Sequence, residues 1–210
     1  MECFNMLRLG ILGSTRGTDM MAILAAIAEQ RLPAAIAIVI SNKAGAGILQ
    51  RAAEHKVKNL FIDPEDLPRA DYDAKISQAL MAEKVDLVIL IGYMRILFPA
   101  FVEQWRDKII NVHPSLLPAY AGGMDQNVHQ AVLDAGETET GCTIHRVTAE
   151  VDAGPVLMQK HCAVRADDTA ETLKARVQAL EGLALVEVIT AFADEKLIFD
   201  KRFYATNNHY

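Results

Sequence analysis

The sequence predicts an α/β fold: a doubly wound, mostly parallel sheet with helices on both faces. Three observations carry this. Short apolar runs alternate with longer stretches of helical spacing through the first half of the chain, the rhythm of βαβ units. The runs at 35–40 and 87–91 are apolar at every position, which suits strands covered on both faces. The chain has 210 residues, 51% of them hydrophobic, enough for one substantial core, so a single domain over residues 1–210 is expected.

Taken in order, residues 7–12 read as a first strand, 13–19 as a loop and 20–30 as a helix. The run at 35–40 is the second strand, 47–55 a helix and 59–62 a short strand. Asp71 is placed to cap a helix reaching Lys84. The run at 87–91 is another buried strand, 100–106 a short helix, and the next strand ends at Val112. The second half changes character. A short helix at 128–133 precedes strands at 141–147 and 156–164, joined by the loop that holds Asp152 and expected to extend the sheet antiparallel. Asp168 and Glu171 have the spacing of a capping box, with Asp in place of Ser or Thr. A long amphipathic helix should follow to about Ala193, and Tyr204 to Tyr210 are expected to fray.

Composition narrows the function classes. A net charge of −6 argues against broad nucleic-acid binding but leaves room for a small anion at a local positive site. No apolar run is long enough to span a membrane, and no secretory signal is read before the first strand. Cys3, Cys142 and Cys162 cannot all pair with one another, which suits reduced thiols in a cytoplasmic protein. The spacings of Cys142 with His145 and of His161 with Cys162 are loosely metal-like. Neither has a second ligand pair, so both read as structural and no metal is expected. His55, His129 and His209 belong to no constellation and are expected at the surface.

The chemistry concentrates at Asn111-Val112-His113-Pro114 and at Val151-Asp152-Ala153-Gly154-Pro155. Asn111 and His113 are two apart at a strand end, so both side chains leave on one face. Pro114 keeps His113 extended and ends the strand. Strand ends are where open α/β sheets place their ligands. An amide, an imidazole and a carboxylate can stabilise an oxyanion and move a proton. Read singly, the first pair could also be a capping pair and Asp152 a turn residue. Ser115 has no nucleophile elbow around it.

Other segments suit ligands. The loop holding Arg16, Gly17, Thr18 and Asp19 should present backbone N–H groups at a helix start, a cradle for phosphate, though it could be an ordinary capped turn. It lacks the Gly-Lys-Ser/Thr of a Walker loop. Asp19 could point backward as the helix cap, leaving only N–H groups to face an anion. The segment Met94, Arg95, Ile96 and Leu97 follows a buried strand, and its apolar flanks suit a flat heteroaromatic ring.

The pattern Asn-Val-His-Pro-Ser-Leu-Leu-Pro at 111–118, followed by Val-Asp-Ala-Gly-Pro-Val at 151–156, resembles the folate-dependent formyltransferases. The segments at 91–97 and 41–44 are similar too, and the likeness runs from about Leu7 to about Asp194. It implies a Rossmann-like formyltransferase fold and transfer of a formyl group from 10-formyltetrahydrofolate to the amine of glycinamide ribonucleotide. Protonated His113 and Asn111 would stabilise the tetrahedral intermediate, with Asp152 favouring the imidazolium and assisting proton transfer. Folate would lie along Met94, Arg95, Ile96, Leu97 and Asn111, with Thr148, Ala149, Glu150, Val151 and Asp152 as the other wall. Arg69 would meet its anionic tail, or be a solvated surface residue. Gly17, Thr18 and Asp19 would hold the acceptor's phosphate, and Gln178 and Glu181 its sugar.

Two departures touch the acceptor. The family pattern Gly-Ser-Asn stands here as Gly17-Thr18-Asp19, which brings a carboxylate near the phosphate. The segment from Tyr120 to His129 is about two residues longer than the usual pattern, and its Gly122-Gly123 pair suggests mobility. The alternatives are therefore transfer to another amine such as an amino sugar, hydrolysis of the formyl donor, and a non-catalytic folate-binding protein. Transfer to a charged tRNA usually needs a second domain, which this length does not allow.

Overall fold

The computed structural model describes residues 6–64, 66–122 and 128–207, the stretch 197–207 as backbone only. Seven strands form one sheet in the order β3-β2-β1-β4-β5-β6-β7. The first five are β1 (Leu7–Gly13), β2 (Ala34–Ser41), β3 (Asn59–Phe61), β4 (Leu87–Ile91) and β5 (Ile109–His113), all parallel. The last two, β6 (Glu139–Arg146) and β7 (Val156–Ala163), run antiparallel. This is the doubly wound, mostly parallel sheet that the alternation of apolar runs predicts, extended by the expected hairpin.

The six helices are α1 (Thr18–Ala28), α2 (Gly47–Glu54), α3 (Arg69–Ala82), α4 (Pro99–Gln104), α5 (Val128–Asp134) and α6 (Ala170–Asn207). Alternate residues of each strand feed two separate cores. Leu9, Ile11, Ile89 and Ile110 pack with Met20 and Ile23 of α1 and Val177 and Leu185 of α6 on one face. Leu12, Ile40, Val88 and Ile109 pack with Tyr72 and Ile76 of α3 and Phe101 of α4 on the other. Both faces are covered, which is why β2 and β4 carry unbroken apolar runs.

The boundaries differ from the sequence reading where local chemistry overrides the pattern. α1 begins at Thr18 because Gly17 turns the chain at φ 68°, ψ 40°. α3 begins after Pro68, so Asp71 lies within its first turn and is not its cap. At α6 the reciprocal cap is formed by Thr169 and Thr172, whose hydroxyls each take the other's backbone N–H, and not by Asp168 with Glu171. Asp168 instead pairs with Arg176 at 2.6 Å. α6 continues to Asn207, beyond the expected end near Ala193 and through most of the stretch expected to fray. Residues 208–210, which include His209, lie outside the described residues, as does 123–127, where half of the Gly122-Gly123 expectation falls. His129 is a correction: it is buried, and only His55 is exposed as expected.

Candidate active site

Three strand ends, those of β1, β4 and β5, open onto one side of the sheet, and the candidate residues gather there. β5 supplies Asn111 and His113 on its α3–α4 face, as the two-residue spacing requires. Antiparallel pairing sets His145 of β6 directly across from Asn111. The loop after β6 then carries Asp152 back over both. Gly154 makes that return possible: a Cβ there would lie 1.8 Å from the carbonyl oxygen of Arg146.

The three predicted catalytic residues form one connected cluster, with His145 as the member that joins Asn111 to Asp152. His113 Nε2 lies 3.3 Å from Asp152 Oδ2. His145 Nε2 lies 3.5 Å from Asp152 Oδ1 and 3.0 Å from Asn111 Nδ2. The sequence reading gave His145 a structural role only; its one available signal was its position in the strand paired with β5.

Hydrogen bonds fix the Nδ1 proton of both imidazoles. Ser115 Oγ donates to the carbonyl of Ala119 at 2.6 Å, so it must accept from His113 Nδ1–H at 2.9 Å. That leaves His113 Nε2 facing Asp152. His145 Nδ1 meets the carbonyl of Arg146 at 2.9 Å and therefore carries a hydrogen, and its Nε2 stands between the Asn111 amide nitrogen and the Asp152 carboxylate. The amide keeps a second N–H for a ligand.

The charges follow from these contacts. The contact with His145, helped by the backbone N–H of Gly122 at 2.9 Å and the nearness of His113, holds the Asp152 carboxyl below its usual range against the opposing effect of burial. For His113 burial is the largest influence, and it lowers the imidazole's pKa despite the carboxylate beside it. Asp152 favours the imidazolium, as expected, and burial outweighs it. With its Nδ1–H held by Ser115, the imidazole presents Nε2 to Asp152.

Two cavities meet at this cluster. The larger, about 500 Å³, is lined by Arg16, Thr18 and Asp19 at the start of α1 and by Lys174, Gln178 and Glu181 of α6, with His113 at its floor. The smaller, about 70 Å³, is lined by Arg95, Ile96 and Leu97 on one side and by Thr148, Ala149, Glu150 and Val151 on the other. Tyr93, Asn111 and Asp152 line both. Met94 lines the larger cavity, and its backbone N–H is held by Ser14 Oγ at 2.8 Å.

Not every predicted residue lines a cavity. Arg69 is exposed at the start of α3, its guanidinium 5.7 Å from the Phe98 ring, and lines neither cavity. Gly17 lies behind the larger one, where a Cβ would meet Ile48 at 2.4 Å. Asp19 is not the helix cap: Gly17 holds that position without a side-chain bond, and Asp19 is turned inward toward Glu181. His129 lines the larger cavity; burial, reinforced by the charge of Lys174, pushes its pKa down to about 4. No group of three or more His, Cys, Asp or Glu among the described residues is arranged to hold a metal ion. Among them, no helix is long and apolar enough to cross a membrane.

Comparison with known proteins meets this geometry from a separate direction. Residues 7–189 match the formyl transferase family. Phosphoribosylglycinamide formyltransferase of Haemophilus influenzae is 37% identical over 193 residues, which cover 91% of this chain and 90% of that one. The trifunctional purine biosynthetic protein adenosine-3 of Drosophila pseudoobscura pseudoobscura is 38% identical over 90% of this chain, which spans only 14% of that protein's length. Among solved structures, glycinamide ribonucleotide transformylase 1 from Symbiobacterium toebii superposes with a TM-score of 0.86 at 40% identity, covering 90% of this chain and 89% of that one. Matched along nearly its whole length in sequence and in fold, this chain belongs to the formyl transferase family.

Proposed function

We propose that this protein transfers a formyl group from 10-formyltetrahydrofolate to the amine of glycinamide ribonucleotide, a step of purine biosynthesis. The observation that carries the reading is the junction of two cavities at Asn111 and Asp152, with His113 at the floor of one and His145 in the wall of the other. Transfer between two small molecules needs two sites that share a reacting point. The smaller cleft suits the donor ring, with apolar walls from Leu90, Leu97, Val102 and Val147 and backbone polar groups along 148–152. The larger suits a phosphorylated amine, with the start of α1 and two cations, Arg16 and Lys174, among its walls.

The cluster supports the following steps. The acceptor nitrogen attacks the formyl carbon, and negative charge develops on the formyl oxygen. The second N–H of Asn111 stabilises that oxygen. The proton lost by the nitrogen passes, along Asp152 or a water it holds, to the bare Nε2 of His113. The imidazolium so formed faces the oxyanion and the Asp152 carboxylate together. When the bond from the formyl carbon to the folate nitrogen breaks, that nitrogen takes the proton and His113 returns to its neutral form. Oxyanion and imidazolium thus appear together, so a neutral resting His113 is compatible with the chemistry. Cys142 and Cys162 are free thiols, in keeping with a cytoplasmic enzyme.

An acceptor comparison tests the reading. Purified protein with 10-formyltetrahydrofolate should formylate glycinamide ribonucleotide far faster than an amino sugar, and should consume no donor without an acceptor. Faster transfer to the amino sugar would reassign the larger cavity, and consumption without acceptor would make the protein a hydrolase.

A further inference from the structure

Asp19 and Glu181 meet in the wall of the larger cavity, one from the first turn of α1 and the other from α6. Their exposures are 7% and 5%, so both carboxyl groups are out of water. They stand close enough for each to alter the other's ionisation, and a proton shared between them would spare the wall a second buried negative charge. The other oxygen of Asp19, Oδ1, is buried without a hydrogen-bond partner.

We propose that the Asp19–Glu181 pair takes up a proton from solvent as an anionic, phosphorylated acceptor enters the cavity and gives it back when the acceptor leaves, so that the pair makes acceptor affinity depend on pH. This rests on the acceptor assignment above. Burial dominates both groups. It raises Asp19 to about 6 and Glu181 well above its ordinary value, with the Asp19 charge adding to the rise of Glu181. The pair therefore favours holding one proton, with Glu181 as its donor and Asp19 as its acceptor. Bringing a phosphate into the same cavity raises the cost of a charge on Asp19, and protonating Asp19 removes it.

The neighbours leave little else to answer the incoming charge. Lys174 on α6 is a standing cation that eases the ionisation of Glu181. Arg16 is exposed at the cavity edge. Cys142 on β6 is pushed up to about 12 and stays a thiol, and His129 on α5, down at about 4, stays neutral. Asp19 is the group among these whose ordinary charge state changes just below neutrality.

Calorimetric titration of the full-length protein with glycinamide ribonucleotide at pH 7, in two buffers of different ionisation enthalpy, reads the proton directly. Parent protein should take up on the order of half a proton or more per site beyond the uptake in Asp19→Asn. The acceptor's own phosphate titrates in both proteins and cancels in the difference. The KM for the acceptor should rise by up to roughly tenfold per pH unit above pH 7 in the parent relative to Asp19→Asn. Equal proton uptake in the two proteins overturns the inference and leaves the acceptor assignment standing. Failure of both to bind the ribonucleotide at any pH overturns the two together. A second readout needs no ligand: the infrared carbonyl band of a protonated carboxyl should be present in the parent at pH 8 and missing in Glu181→Gln. Absence of that band from the parent removes the shared proton and with it the proposal.

Discussion

Asn111 Nδ2 and His145 Nε2 face each other at 3.0 Å across the β5–β6 ladder, and the same imidazole nitrogen lies 3.5 Å from Asp152. His145 therefore contacts two of the three residues that border both cavities. His145→Ala should free the Asn111 amide and remove the largest influence that keeps the Asp152 pKa low. The expected result is a roughly tenfold or greater fall in kcat, the worth of about one hydrogen bond, with the affinity for a folate analogue changed less. Unchanged kcat in the folded variant would return His145 to a purely structural role.

A second prediction concerns the tautomer of His113. Ser115→Ala removes the acceptor for Nδ1–H while leaving the ring in place. Turnover should fall by roughly tenfold, and Ser115→Thr, which keeps a hydroxyl, should recover part of it. Equal loss in both variants would point to packing around Ser115 and away from the tautomer.

The pH dependence of kcat/KM carries a sign. Burial lowers His113 and the Asp152 charge raises it, so the acid limb of the parent should lie below the ordinary histidine range. Asp152→Asn removes the raising influence. Its acid limb should move to still lower pH, and its plateau should fall by at least about a hundredfold. An acid limb that moves upward in Asp152→Asn contradicts the assignment of His113 as the base.

Stability gives a fourth prediction. The folded pKa of His129, about 4, lies below its unfolded value, so its contribution is present above the ordinary histidine range and is lost as pH falls from about 6.5 to about 4. Replacing it with Phe should flatten the loss of urea stability over that window. Gly17→Ala should cost about 2 kcal/mol or more at any pH, because φ is 68° there and the added Cβ meets Ile48.

The residues legible in the sequence were those whose placement is local. Asn111, His113 and Pro114 reveal a strand end by themselves, and the apolar runs of β2 and β4 reveal strands covered on both faces. His145 was not legible as a site residue, because its neighbour is chosen by antiparallel register with a strand some thirty residues away. Asp19 was misplaced because Gly17, turning at positive φ, starts α1 early and swings the carboxylate inward. His129 looked like a surface residue because nothing in its own segment announces that Leu173 of α6 packs against α5. The downward shift of His113 depends on the depth of its burial, which its own segment does not reveal.

The most direct test of the central claim is single-turnover formyl transfer from 10-formyltetrahydrofolate to glycinamide ribonucleotide, compared between the parent, His113→Ala and Asn111→Ala. The parent should yield N-formylated ribonucleotide, each variant should slow the chemical step by at least roughly a hundredfold, and the affinity of each for a folate analogue should stay near the parent's. Transfer at the parent's rate by either folded variant would contradict the claim that this cluster performs the reaction.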